Sequence, residues 1–136
     1  MAPPNVENGL QIRSLVKKSG VLEVSLAAVP TPEPGPDDTV IRVEATPINP
    51  SDIALLLGAV DMNTAKQSGT AASPVLTANI LERALPMMTS RFDQSMPVGN
   101  EGAGTVVKAG SSPAAQALMG KVVAVASGSM YSQYKL

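Results

Sequence analysis

Alternating apolar and polar residues predict short β-strands along much of the chain. Two strands are expected over residues 10–16 and 21–26, and the clearest strand covers residues 39–46. In that third segment Ile41 and Val43 point to one face while charged residues point to the other. The proline-rich segment 30–36 cannot form a central strand, because proline donates no ladder hydrogen bond. We interpret it as an ordered surface connector within one domain.

A short helix follows the third strand. Asn49 is suited to the N-cap position, Pro50 to the first helical position, and Gly58 ends the predicted helix over residues 51–57. The pattern then weakens over residues 59–95, which we treat as an insert. Within it, residues 63–73 are small and polar and predict a flexible loop. Residues 75–88 carry apolar side chains at helical spacing and predict a short helix.

The last forty residues return to strand-like patterns. Residues 105–107 predict a strand, residues 110–120 a loop with one helical turn, residues 121–126 a buried strand, and residues 128–136 an alternating strand. About six short strands with few helices predict a mainly β fold, a small and partly open β-barrel.

A glycine-rich turn precedes the strand at residues 105–107. Gly99, Gly102 and Gly104 surround the polar pair Asn100 and Glu101, and glycine permits tight turns and close backbone approach. The pair is therefore a candidate site at the mouth of a strand. The alternative is that the segment is only a turn before a strand.

Composition narrows the possible chemistry. The 136-residue chain has a net charge of −1 and only 15% charged residues, which argues against a nucleic-acid surface. No apolar run approaches the roughly 20 residues of a membrane span, and no signal peptide is visible, so a cytoplasmic location is expected. The chain has no Cys and no His, which excludes a thiolate nucleophile, an imidazole base and a Cys/His zinc site. Chemistry must use carboxylates, amides, hydroxyls, Lys, Arg or an organic cofactor.

Three segments in order carry a resemblance to a known family. They are VPTPEPGPDDTVIRVEATPINPSD at residues 29–52, GNEGAGTVVKAG at residues 99–110 and GKVVAVASGSMYSQY at residues 120–134. They resemble the N-terminal, GroES-like domain of the medium-chain dehydrogenase/reductase superfamily. The resemblance covers residues 10–136 apart from the 59–95 insert.

The resemblance points to the zinc-independent branch of that superfamily. Asn49 and Asn100 stand where zinc-dependent members carry Cys and His, so no metal site is expected. The implied activity is hydride transfer from NADPH to a quinone or an α,β-unsaturated carbonyl, as in NADPH:quinone oxidoreductases, with a 2-enoyl-thioester reductase as the alternative. The chain departs from both patterns, because Ala54 and the segment Gly58-Ala59-Val60 lack the tyrosines that those enzymes carry.

The nucleotide-binding part that the resemblance implies has no counterpart in the sequence. No G-x-G-x-x-G turn leads into a helix, and GNEGAG has the wrong spacing. We therefore expect a C-terminal Rossmann domain outside this chain, and expect the 136 residues alone to be inactive. The implied partners are a small quinone or enone substrate and, for the longer protein, a second copy in a homodimer, with no nucleic acid or membrane. A different class of function is a stand-alone GroES-like binding or co-chaperonin-type module.

The resemblance also suggests roles for individual residues. Asn49 is the first catalytic candidate, as an amide donor to the substrate or to the nicotinamide ribose, although it could only cap its helix. Tyr131 is the second, lining the substrate face or packing in the core. The expected cofactor-binding residues are Asn49, Pro50, Asp52, Asn100 and Glu101. Asp52 is expected to be mainly structural, and Glu101 to be a buried carboxylate that organises the site.

Overall fold

The computed structural model describes residues 8–136, and strands dominate it. Strands take up 50% of the described residues and helices 17%, which confirms the mainly β fold with a few short helices. The elements in order are β1 (Asn8–Val16), β2 (Val21–Pro30), β3 (Thr39–Ala45), α1 (Pro50–Leu57), β4 (Val60–Gly69), β5 (Pro74–Ile80), a 3-10 helix (Glu82–Arg91), β6 (Ser95–Pro97), β7 (Glu101–Ala109), α2 (Pro113–Gln116), β8 (Val122–Ala126) and β9 (Tyr134–Lys135).

The described strands form two antiparallel sheets. One sheet has five strands in the order β4-β5-β2-β1-β6, and the other has four in the order β8-β7-β3-β9. Neither sheet closes into a barrel within the part of the chain that the structure describes. The predicted mainly β, partly open architecture with a few short helices is confirmed, and its strands lie in two sheets.

The chain divides into two compact units. The first unit contains residues 8–11 together with Ala28–Pro47 and Gly99–Leu136, and so holds the four-stranded sheet. The second unit contains Ile12–Ala27 and Ile48–Val98, and so holds α1, β4, β5, the 3-10 helix and β6. Each unit has a hydrophobic core of its own.

The core of the second unit is built around β2, β5 and the 3-10 helix. Its buried members are Val16, Leu22, Val60, Ala78, Ile80 and Ala84. Leu22 and Ala78 are cross-strand partners in the β2–β5 pair, so the face of the sheet that carries them supplies the core.

The core of the first unit lies on β3, β7 and β8. Ile41 and Val106 are buried there together with Met130, which lies between β8 and β9, and Val43, Val123 and Val125 pack against them. Gly104 on β7 is required by packing, because a Cβ at this position would collide with the carbonyl of Arg42 on β3. Residues 31–38 carry no strand or helix, in agreement with the predicted connector.

Two predictions for the 59–95 segment were wrong. The expected flexible loop over residues 63–73 is mostly β4, which lies at the edge of its sheet and exposes many of its small polar side chains. The expected helix over residues 75–88 is β5 followed by the 3-10 helix. Leu76 and Ile80 are four residues apart, which fits one face of a helix and also one face of a strand. The segment forms a strand in which Ala78 and Ile80 share a buried face.

Other differences concern element limits and burial. The strand expected to be buried over residues 121–126 is the edge strand β8, in which alternate residues are exposed and Val122 is 71% exposed. The strand expected over residues 128–136 is reduced to Tyr134–Lys135. Gly58 follows α1 as predicted, but in a right-handed conformation with φ of −65°.

Candidate functional site

The first group of candidate residues lies at the start of α1, in the second unit. Asn49 is the N-cap, with φ of −85° and ψ of 156°, and Pro50 is the first helical residue, as predicted. Asp52 is fully buried, and its Oδ2 accepts a hydrogen bond of 2.9 Å from the backbone N–H of Asn49. The carboxylate therefore fixes the backbone from which the half-buried Asn49 side chain projects.

The second group lies around Gly99, in the first unit. Gly99 has φ of +95°, and a Cβ there would stand 2.6 Å from the backbone nitrogen of Tyr131 and 2.7 Å from its ring. The Tyr131 hydroxyl donates a hydrogen bond of 3.0 Å to the carbonyl oxygen of Pro47. Asn100 is exposed directly after this turn. The left-handed glycine thus allows the Tyr131 ring to pack closely beside the Gly99 backbone.

Glu101 is exposed, so the expectation of a buried carboxylate was wrong. The residue begins β7, where Gly104 and Val106 take the buried positions, and Glu101 belongs to the opposite set of alternating residues. It lines a shallow depression of about 410 Å³ whose remaining walls are Ala45, Thr46, Pro47, Gly102 and Ala103.

The structure therefore brings the candidates together in two groups. Asn49, Pro50 and Asp52 belong to α1 and its cap, whereas Asn100, Glu101 and Tyr131 belong to the first unit. Within the first unit, Glu101 and the hydroxyl partner Pro47 share the same depression.

An ionic group that the sequence did not single out lies on the β3–β7 ladder. Glu44 Oε1 accepts hydrogen bonds from the Thr105 hydroxyl at 2.8 Å and from Arg42 Nη2 at 3.0 Å. The Thr105 hydrogen bond and, after it, Arg42 lower the pKa of the exposed Glu44 carboxyl below its ordinary value.

A second unforeseen group joins β1 to the 3-10 helix. Ser14 is fully buried, and its Oγ accepts a hydrogen bond of 2.9 Å from Arg91 Nη2. Burial lowers the pKa of the Arg91 guanidinium. A signal was present in the sequence, because Ser14 is a polar residue two positions before Val16, on the face of β1 that the alternation assigns to the core.

The described residues hold neither a cluster of metal-ligating side chains nor a membrane-spanning helix. No group of three or more His, Cys, Asp or Glu side chains within residues 8–136 could hold a metal ion. No helix in the same residues has the length and apolar character needed to cross a membrane.

Comparison with known proteins supports the fold. No protein-family profile and no curated protein sequence matches the chain. A crystal structure from Mesorhizobium loti, of a protein provisionally assigned as an NADPH:quinone reductase, is similar over 98% of the chain with a TM-score of 0.52. The two sequences are 23% identical, and the matched region spans 35% of that protein. The chain therefore shares the fold of about a third of that Mesorhizobium protein.

Proposed function

We propose that the chain is the substrate-side domain of a zinc-independent, NADPH-dependent oxidoreductase that reduces a quinone or an α,β-unsaturated carbonyl. The observation that carries the proposal is the fold similarity to a protein assigned as an NADPH:quinone reductase, which extends over 98% of this chain. The Asn-Pro-Ser-Asp and Gly-Asn-Glu-Gly segments support it, because both sit at chain turns that present polar side chains. The remaining length of such an enzyme would include the nucleotide-binding domain, and the active form would be a homodimer.

The candidate residues suit the nicotinamide end of the cofactor. Amide and carboxylate groups, as in Asn49, Asn100 and Glu101, can pair with a carboxamide and with ribose hydroxyls. Pro50 and Asp52 would act by fixing the α1 N-terminus, since Asp52 is buried against the Asn49 backbone. NADPH supplies the hydride when it is bound, and the protein supplies position and electrostatics.

Asn49 is the proposed donor at the reacting oxygen. Hydride addition to a quinone or enone places negative charge on the carbonyl oxygen, and a positioned N–H donor stabilises that charge. Tyr131 would line the substrate face with its ring, because its hydroxyl proton is already donated to Pro47. An amide in place of the Cys or His of zinc-dependent relatives would polarise the carbonyl by hydrogen bonding alone.

The experiment compares two lengths of the protein. The 136-residue chain and the same chain continued through its downstream coding sequence are purified, and NADPH oxidation is followed with a benzoquinone and with a 2-enoyl thioester. We expect turnover only from the longer form. Asn49→Ala should lower kcat about 100- to 1000-fold, since one oxyanion donor is removed, while the exposed β4 variant Asn63→Ala keeps full activity.

Three outcomes contradict the proposal in different ways. If the downstream sequence lacks a glycine-rich βα unit, the reductase proposal is wrong and a stand-alone binding module of the same fold is favoured. Turnover by the 136 residues alone contradicts the proposal that activity requires a separate nucleotide-binding domain. Turnover of the thioester but not of the quinone selects the 2-enoyl-thioester reductase within the same reaction class.

A further inference from the structure

One guanidinium connects three elements of the second unit. Arg91 Nη2 donates to Ser14 Oγ on β1 at 2.9 Å, and Nη1 lies 3.5 Å from the carbonyl oxygen of Leu55 in the last turn of α1. Nη1 also lies 3.9 Å from the sulfur of Met88 in the 3-10 helix. Residues 59–95, which we interpreted as an insert, therefore contact both β1 and α1 through Arg91, the last residue of the 3-10 helix.

An ion pair does not explain this arrangement. Among the described residues no carboxylate pairs with Arg91, and its Nε is buried without a hydrogen-bond partner. Desolvating a cation without a counter-ion costs free energy. The cost is offset in part at α1, because the helix has no basic residue in its own last turn and a cation near a helix C-terminus interacts favourably with the unpaired carbonyls.

The geometry points to Arg91 as a positioning residue for α1. It holds the C-terminal turn of the helix, through Leu55, against the buried Ser14 of β1. Because α1 is only eight residues long, or about 12 Å, a shift at its C-terminus is carried to Asn49 at its N-cap. Insofar as it concerns Asn49 as a catalytic group, the inference rests on the proposed function.

A planar guanidinium is suited to this task in a way that other side chains are not. Its two Nη groups can donate to two acceptors on different elements at once, whereas an ammonium is a single point of charge on a flexible stem. We therefore expect lysine in Arg91→Lys to hold α1 in part, and methionine in Arg91→Met not to hold it.

The first test uses amide hydrogen exchange in the 136-residue chain, followed by NMR. In Arg91→Met we expect exchange in the last turn of α1, Leu55 to Gly58, to rise about tenfold, the effect of losing about one hydrogen bond. The side-chain amide signal of Asn49 should shift, while Leu22 and Ala78 in the core keep their protection. Arg83→Met is the matched control, because Arg83 is an exposed cation on the same 3-10 helix, and it should change none of these.

A second variant covers the case in which Arg91→Met fails to fold. Ser14→Ala removes the acceptor at 2.9 Å without changing a charge, and should also loosen α1 selectively. Uniform loss of protection across α1 and the core, in any of these variants that folds, overturns the inference, because Arg91 would then be a general stabilising residue. Unchanged exchange in α1 overturns it as well.

A kinetic readout separates this inference from the proposed function. In the longer protein, Arg91→Met should lower kcat with little change in the KM for NADPH, and the double variant with Asn49→Ala should be no slower than Asn49→Ala alone. If no reductase activity exists, the exchange experiment still decides whether Arg91 holds α1. If activity exists and the two effects multiply, Arg91 does not act through Asn49.

Discussion

At the scale of single residues, Gly99 is a position where the backbone tolerates little change. Its φ of +95° is a conformation that side chains rarely adopt, and a Cβ would meet the backbone and ring of Tyr131. Gly99→Ala should therefore cost at least about 1–3 kcal/mol of unfolding free energy, measured by urea denaturation. Gly128→Ala is the control, since a Cβ there meets nothing within 4 Å, and an equal loss in both variants would contradict this account.

Asp52 gives the second prediction at this scale. Its buried carboxylate accepts the N–H of the Asn49 N-cap, so Asp52→Ala should cost about 1–2 kcal/mol and fray the first turn of α1. Thermal or urea unfolding measures the loss, and amide exchange locates it. Asp37→Ala, at an exposed carboxylate, should stay within about 0.5 kcal/mol of the parent. A loss of the same size at Asp37 would show that charge removal, rather than capping, is responsible.

At the scale of elements, the β3–β7 ladder carries a pH-dependent contact. The folded-state pKa of Glu44 is lowered, chiefly by the Thr105 hydroxyl. The stability that ionised Glu44 contributes is therefore present above the unfolded-state pKa and is lost as the pH falls through the folded-state pKa. Thr105→Val should raise the Glu44 pKa toward its ordinary value, as measured by a carboxyl-carbon NMR titration. The variant should be less stable than the parent at neutral pH, and the difference should disappear at pH values below the lowered pKa. An unshifted Glu44 titration would contradict the role of Thr105.

Elements with a strong local signal were predictable from the sequence, and edge elements were not. β3 and the cap of α1 followed from alternation and from the Asn49-Pro50 pair, which are local properties. β4 has few apolar residues because it lies at a sheet edge, so its pairing with β5 was invisible in the pattern. The site residues were found only in part, since the exposure of Glu101 and the contact between Ser14 and Arg91 depend on which distant segments fold together.

At the scale of the whole molecule, two separate cores carry the stability. Ile41 is 3% exposed in one cluster and Ile80 is 6% exposed in the other, and the clusters share no member. Each Ile→Ala change should cost about 2–5 kcal/mol by urea denaturation. Their effects should add within about 0.5 kcal/mol in the double variant. Ile53→Ala, at a residue 49% exposed, should stay within about 0.5 kcal/mol of the parent, and strong non-additivity would show that the two cores form one cooperative network.

The outer edge of β8 has a consequence for handling the protein. This strand is an uncharged VVAVA segment at the end of its sheet, and its first valine is 71% exposed. Short uncharged segments with high β-propensity and a free edge recruit further strands and initiate aggregation. We expect the 136-residue chain to lose solubility as its concentration rises, with light scattering as the measure. Val122→Lys places a charge on this edge strand and should delay that loss without unfolding the protein.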